Sequence, residues 1–365
     1  MILKESGEVS MNKAQSKTFN GLTTFGKTAM AAGVLAVLLT ACGGGNNTAT
    51  NNSDRAGSPA AANAEATADP AGTAEGVEDV LKPEDLPQAL LDGKYDAIYS
   101  RMSAEFQKQL TKAEFSTSAK EFVKGIESFN EASVLQHNGG KMRNWVSDTK
   151  EKGLSAVFSD EGVIMGLQIK ALAYWPETDE KKTKVVYDWP LRGDWFVYWG
   201  GENALINYHY DHESQRYAYD IVQSKDGYSY KGDPLKNESY YAFGQPVLAP
   251  ADGKVVSVVN DIPDNEPVGV MNEKAPAGNV VVIDHGNGEY SYLAHMKKGS
   301  IIVKAGDQVK RGDEMGKLGN SGNSSEAHLH FQVSDGAHLF ESRSININWK
   351  DGIKPIQGET ITSAE

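Results

Sequence analysis

The chain has 365 residues, 49 acidic against 36 basic, for a formal net charge of -13. That balance excludes a nucleic-acid partner, because holding phosphates takes clustered Lys and Arg and no such run is present. One cysteine rules out a disulfide framework and a Cys-rich zinc site, while 39% apolar residues over this length suffice for two folded domains plus a non-globular segment.

Near the N-terminus Lys13, Lys17 and Lys27 precede an apolar run over residues 29–39. The run is too short to cross a bilayer as a helix and suits the h-region of an export signal. Met11 fits the start of such a signal better than Met1, since Glu5 and Glu8 are foreign to a basic n-region. The run closes in Leu39-Thr-Ala-Cys42, which resembles the bacterial lipobox. The resemblance implies a lipoprotein signal peptide over residues 1–41 and lipidation of Cys42. It also implies a place on the outer face of the bacterial cytoplasmic membrane, within the cell envelope. Two acyl chains, at roughly 0.8 kcal/mol per buried methylene, anchor stably. After Cys42, residues 43–76 are Gly, Asn, Thr, Ala, Ser, Asp and Pro with almost nothing to bury, so 42–76 is expected to be a disordered tether. About 34 such residues reach roughly 30 Å on average and about 110 Å fully drawn.

Globular character begins at residue 77. Tyr95, Ile98, Tyr99 and Met102 fall at helical spacing, Thr111 and Glu114 form a capping-box pattern, and Phe115, Phe122, Ile126 and Phe129 continue the apolar stripes. Strand-like runs follow over 132–135, 141–146, 154–158, 163–172 and 195–199. Helices followed by a curled antiparallel sheet predict an α+β domain over 77–200. Its opening, Leu90-x-x-Gly93-x-Tyr95-x-x-x-Tyr99, resembles the nuclear-transport-factor-two-like fold of exported bacterial proteins. The resemblance implies a spacer or binding module without chemistry of its own. His137 is expected to be a surface histidine.

From residue 201 the texture is strand-rich. Pro246-Val-Leu-Ala-Pro-Ala-Asp-Gly-Lys-Val-Val256 and Val303-Lys-Ala-Gly-Asp-Gln-Val-Lys-Arg-Gly-Asp-Glu-Met-Gly316 each pair short β-runs with glycine turns. Such phrases predict a mostly-β domain of the barrel-sandwich or duplicated hybrid type over 201–350, with a tail over 351–365. A lipoyl or biotinyl carrier would need an exposed lysine at a hairpin tip between the two phrases, but the stretch between them is long and rich in histidine. Asn287-Gly288 is a hairpin signal between runs 279–284 and 289–295, and the second run delivers His295 at its end. In Glu326-Ala-His-Leu-His-Phe-Gln-Val333 the alternation of a strand sends His328 and His330 to one side and Ala327, Leu329, Phe331 and Val333 to the other. Two adjacent imidazoles are a metal-site geometry. A cupin would also want a Glu and a His soon after, which residues 332–336 lack. His285 and His338, beside turns, are expected to be structural or solvated.

Val281-Val-Ile-Asp-His-Gly-Asn-Gly288, Tyr292-Leu-Ala-His295 and Gly319-Asn-Ser-Gly-Asn-Ser-Ser-Glu-Ala-His-Leu-His-Phe331, in this order, resemble the lysostaphin-type peptidoglycan endopeptidase family over about residues 200–335. The resemblance implies zinc held by a histidine, Asp220 and His330, with His328 and His295 as catalytic histidines. One position departs from the family pattern: four residues before Asp220, where it has the first ligand, stands Arg216, which cannot bind zinc. His209 or His212 could replace it. If 206–210 and 217–222 pair as a hairpin about Ser214-Gln215, His209 falls opposite Asp220 on its face and His212 faces away, which favours His209. If neither reaches the metal, the site is degenerate. His328 and His295 would share proton transfer and oxyanion stabilisation, in an order the sequence does not decide. Export joined to this chemistry predicts a membrane-anchored zinc metalloendopeptidase acting on peptidoglycan peptides. The alternative is a catalytically inactive peptidase-like module that binds the wall or activates another wall hydrolase, with Arg216 as its support. A purely structural lipoprotein would leave the histidine and aspartate positions without a shared purpose.

Overall fold

The computed structural model describes residues 81–363. The signal peptide, Cys42 and the tether expected over 1–76 lie outside the described residues.

Four short helices come first, α1 (Leu86–Leu91), α2 (Tyr95–Ser100), α3 (Ala104–Gln109) and α4 (Lys112–Phe122). Their starts are written locally. The Ser103 side chain accepts from Phe106 N at 3.2 Å, and Thr111 and Glu114 close the expected capping box. An antiparallel sheet follows in sequential order, β1 (Phe129–His137), β2 (Gly140–Ser147), β3 (Lys152–Phe158) and β4 (Ile164–Ala171). Leu86, Leu90, Ile98, Phe106 and Phe115 of the helical part pack on Trp145, Leu154 and Phe158 of this sheet. Each such fully buried side chain contributes roughly 1.5–3 kcal/mol.

The rest is mostly β. After α5 (Pro176–Asp179) come β5 (Lys182–Tyr187), β6 (Gly193–Trp199), β7 (Tyr219–Val222), β8 (Pro246–Leu248), β9 (Gly253–Val259), β10 (Asn279–Asp284), β11 (Tyr290–Met296), β12 (Gln308–Val309), β13 (Glu314–Lys317), β14 (Leu329–Ser334), β15 (Asn346–Trp349) and β16 (Thr360–Ser363). Eight of them form one sheet in the order β12-β9-β10-β11-β14-β7-β6-β16. The two matching glycine-turn phrases meet in the separate β8–β13 pair, and β5 pairs in parallel with β15. A single core under the large sheet gathers Trp195, Val197, Ile221, Val247, Val281, Leu293, Met315, Leu329, Phe331 and Val333.

Three expectations differ from this arrangement. The break expected at 200/201 falls inside the second sheet, because β6 is hydrogen-bonded to β7 and its Trp195 and Val197 belong to the second core. The tail expected over 351–365 returns as β16 along β6. On the way, Gln357 Oε1 accepts from Ser133 Oγ at 2.8 Å and Asn144 Nδ2 at 2.7 Å, tying the tail to the first sheet. Finally, residues 206–210 are no strand: both edges of β7 are taken, by β6 and β14, and residues Tyr208–Asp211 form a 3-10 turn instead.

Candidate metal centre

The site lies on the polar face of β14. Leu329, Phe331 and Val333 point into the core, so His330 and Gln332 face the other way, yet both are buried. β14 runs between β11 and β7, and His330 is registered opposite Asp220. Directly opposed residues of an antiparallel pair share a face. His330 Nδ1 therefore sits 3.0 Å from Asp220 Oδ1. His328, two residues earlier on the same side, brings Nε2 to 3.7 Å from the same oxygen. From the 3-10 turn His209 turns Nε2 to 3.7 Å from Asp220 Oδ2. One ligand atom each from His209, Asp220 and His330 lie within 4.8 Å of one another.

His295 arrives by a bulge. Between the pairs Val281–Leu293 and Asn279–Met296, two residues of β11 oppose one of β10. Leu293 and Met296 both enter the main core, while Tyr292 and Ala294 face the opposite side. Strict alternation would put His295 beside Leu293 in the core. The extra residue, with His295 at φ 62, turns its ring toward the site, 4.7 Å from the His328 ring centre. The chain packs closely here: a Cβ on Gly278 would lie 2.3 Å from the Ser321 carbonyl oxygen, which is the group that accepts from His295 Nδ1 at 2.8 Å.

Each ring is oriented by a partner whose chemistry fixes the proton. Carbonyl oxygens only accept, so Nδ1–H of His295 donates to Ser321 O and Nδ1–H of His328 to Glu326 O at 2.9 Å. The Asn207 amide nitrogen donates to three carbonyls, those of Gly201, Arg216 and Ala218, which turns Oδ1 toward His209 Nδ1 at 2.9 Å. Gln332 Nε2 donates to Ser214 O and Ser334 Oγ, leaving its oxygen to accept from His330 Nε2 at 3.0 Å. His209, His295 and His328 thus direct Nε2 at the centre and His330 directs Nδ1. His209 Nε2 is buried and, among the described residues, has no hydrogen-bond partner.

Charge follows from this packing. Burial drives the His209 imidazole down to about 3 against the pull of Asp220, and burial with the neighbouring His328 and His330 lowers His295 well below its ordinary value. Burial alone would raise the Asp220 carboxyl, but His209, His328 and His330 outweigh it and hold the group below the usual carboxylate range. Burial also opposes a charge on His330, yet its hydrogen bond to Asp220 prevails and raises it. The contact between Nδ1 and Oδ1 thus favours a proton on that ring.

His212 is exposed, and Arg216 points away from the centre. The Arg216 guanidinium lies 3.9 Å over the Trp175 ring and Nε donates to Tyr210 O at 3.2 Å, behind the turn that carries His209. His285 is held by Asp252 O and Ser291 Oγ, away from the site. His137, expected at the surface, is instead packed against Glu326 with its side chain 11% exposed. Asn207, Tyr208 and Gln332 escaped notice as site residues. Gln332 continues the alternation of His328 and His330, which is the signal that could have found it. Tyr208 stacks on His209 with ring centres 3.9 Å apart, and nothing in the sequence marks it.

Residues 239–342 match the model of Peptidase family M23, so the C-terminal part of this chain carries a domain of that family. His295, His328 and His330 fall inside the matched span, and His209 and Asp220 precede it. Among curated proteins the chain is 33% identical over 90 residues to the cell division protein DipM of Caulobacter vibrioides, covering 25% of this chain and 12% of that protein. It is 38% identical over 91 residues to the peptidoglycan DD-endopeptidase ShyA of Vibrio cholerae, covering 25% and 17%. It is 28% identical over 103 residues to the lipoprotein NlpD of Yersinia enterocolitica, covering 28% and 86%. The chain therefore spans less than a fifth of the length of DipM and of ShyA.

Proposed function

We propose that the chain is a membrane-anchored zinc metalloendopeptidase that hydrolyses peptide bonds of cell-wall peptidoglycan. His209 Nε2 carries the reading, as a fully buried lone pair without a partner, facing a carboxylate on which His330 Nδ1 also converges. Burying such a group unsatisfied costs roughly 1–3 kcal/mol, and a divalent cation would remove the cost. Two imidazoles and one carboxylate are the donor set of hydrolytic zinc, with a position left open. Zinc bound by His209, Asp220 and His330 would supply Lewis acidity toward a water molecule and a scissile carbonyl.

The chain's own groups supply the proton chemistry. A neutral imidazole with Nδ1–H tied to a carbonyl and Nε2 free can take a proton from water and return one to a departing amine, and the contacts of His328 support this role for it. His295 stands beside it in the same tautomer, where Nε2 can hydrogen-bond the developing oxyanion once protonated, and the two can share both duties. Arg216, the residue favouring a module without activity, faces away from the centre, which supports the hydrolase. The names of ShyA and NlpD support peptidoglycan peptides as substrate and a lipid anchor at Cys42.

Incubating the purified protein with intact peptidoglycan tests the reading. Soluble peptide fragments are expected without chelator, absent with it and restored by zinc. Release indifferent to chelator sinks the zinc enzyme. In cells, Cys42→Ser is expected to move the protein from the membrane to the soluble fraction, and unchanged fractionation removes the anchor.

A further inference from the structure

The hairpin joining β1 and β2 of the first domain ends in Asn138 and Gly139, at φ 48 and φ 82. Two consecutive left-handed residues make the tight hairpin turn that Asn-Gly suits. This tip reaches into the peptidase part. Asn138 N donates to Gly227 O at 2.7 Å, Ser229 N donates to Asn138 Oδ1 at 2.9 Å, and Asn138 Nδ2 donates to Ser229 Oγ at 3.0 Å.

What the tip grips is Glu326. Its Oε2 accepts from Ser229 Oγ at 3.2 Å and lies 3.5 Å from Asn138 Nδ2, and its Oε1 lies 3.3 Å from His137 Nε2. The Glu326 side chain is only 18% exposed. A carboxylate so withdrawn from water stays there only while its partners do. The backbone oxygen of the same residue accepts from His328 Nδ1 and from Ser324 Oγ at 2.8 Å. The Glu326 side chain thus meets Asn138 and His137 of the first domain as well as Ser229 of its own, while its main chain holds His328.

We propose that the Asn138–Gly139 turn of the first domain is a positioning element for His328, acting through Glu326. Stripped of Asn138 and His137, the carboxylate gains more by swinging into water, and its carbonyl moves with it. His328 then loses the shorter of its two Nδ1 contacts, keeping only Ser324 Oγ at 3.1 Å, and with it the aim of Nε2. The first domain on this account completes the reacting loop of the second and is more than a spacer. The kinetic part of the claim rests on the hydrolase reading; the orientation of the ring does not.

The test uses the full chain and two readouts, hydrolysis of peptidoglycan peptides and the solvent exchange of the His328 Nδ1–H proton followed by NMR. Asn138→Gly removes the side chain while keeping a residue at ease with positive φ. Its kcat is expected to fall roughly tenfold, with KM and zinc content unchanged, because small misplacements of a reacting group are costly. The Nδ1–H exchange is expected to quicken by about the same factor. Glu326→Ala should reproduce both changes with the turn intact, and it decides the matter if Asn138→Gly folds poorly. Glu326→Gln, which keeps an acceptor oxygen, should stay within about twofold of wild type on both readouts. Asn287→Gly, in the β10–β11 turn, should change neither. Wild-type exchange in both Asn138→Gly and Glu326→Ala overturns the proposal, as does loss of zinc without faster exchange. A wild-type protein that cleaves nothing would defeat the hydrolase reading, while the exchange rates would still decide the positioning.

Discussion

Asp220 and His330 reach the centre through a ladder, whereas His209 and His295 reach it through departures from one. β7 and β14 are hydrogen-bonded along both edges, so the direction of every side chain on them is set by register. No further device is required to bring the carboxylate and the imidazole together. His209 sits in a 3-10 turn kept in shape by the Asn207 amide, and His295 in a bulge at φ 62 kept by bonds to Ala277 O and Ser321 O. Irregular backbone aims a side chain where alternation cannot, and it then depends on single polar contacts to stay there. The fixed half of the centre is therefore expected to be robust to loss of its supports and the irregular half fragile.

Removing a proposed ligand atom gives the largest effect and treats both halves alike. His330→Ala is expected to abolish stoichiometric zinc binding in metal analysis and to cut hydrolysis by about a thousandfold or more, whereas exposed His212→Ala leaves both unchanged. His209→Ala should also lose zinc. Retention of full zinc in that variant would show that the buried Nε2 has another purpose.

Removing a support separates the halves. Loss of a partner behind a metal-binding histidine typically costs 10- to 100-fold in affinity. Asn207→Ala is expected near the upper end, about 100-fold, because it also strands the carbonyls of Gly201, Arg216 and Ala218 and frees the turn. Gln332→Ala is expected near the lower end, about tenfold, since the ladder still places His330. Competition of each variant with a chelator for zinc measures both, and equal losses would erase the distinction drawn between ladder and turn.

The same division decides what could be read from the residues alone. The alternation of His328 and His330 with Leu329 and Phe331 is local, and the strand follows it. The Asn287-Gly288 turn is local too, and β10 and β11 flank it. The meeting of Asp220 with His330 spans 110 residues and no periodicity encodes it; only the resemblance pointed there. Hairpin register singled out His209, and that residue does lie beside Asp220, but through a 3-10 turn, because β6 had already claimed the edge of β7. The β11 bulge and the burial of His137 under Glu326 depend on packing between distant segments, which leaves no mark in a local pattern.

The smallest effect is set by the charges and is measured on the zinc-free protein. His209 and His295 are held neutral by burial, so below an ordinary histidine value of about 6.5 the unfolded chain takes up protons that the folded one refuses. Each such group makes stability fall with acid by up to about 1.4 kcal/mol per pH unit, through a window that for His209 extends down to about 3. His330 runs the other way, since its raised value adds stability below about 6.5 that is lost as pH rises through it. Below about pH 6 His330 carries its proton in both states and adds no slope, so the two neutral histidines act unopposed, for a net loss of up to about 2.8 kcal/mol per unit between about pH 6 and pH 4, and protonation of Asp220, whose value is depressed, adds to the loss in stronger acid. Urea melts at stepped pH should show this slope in the wild type and a flatter one in His209→Ala. An unchanged slope in that variant would mean that the turn already opens to water without the metal, and the contrast with the ladder would then be greater than the distances indicate.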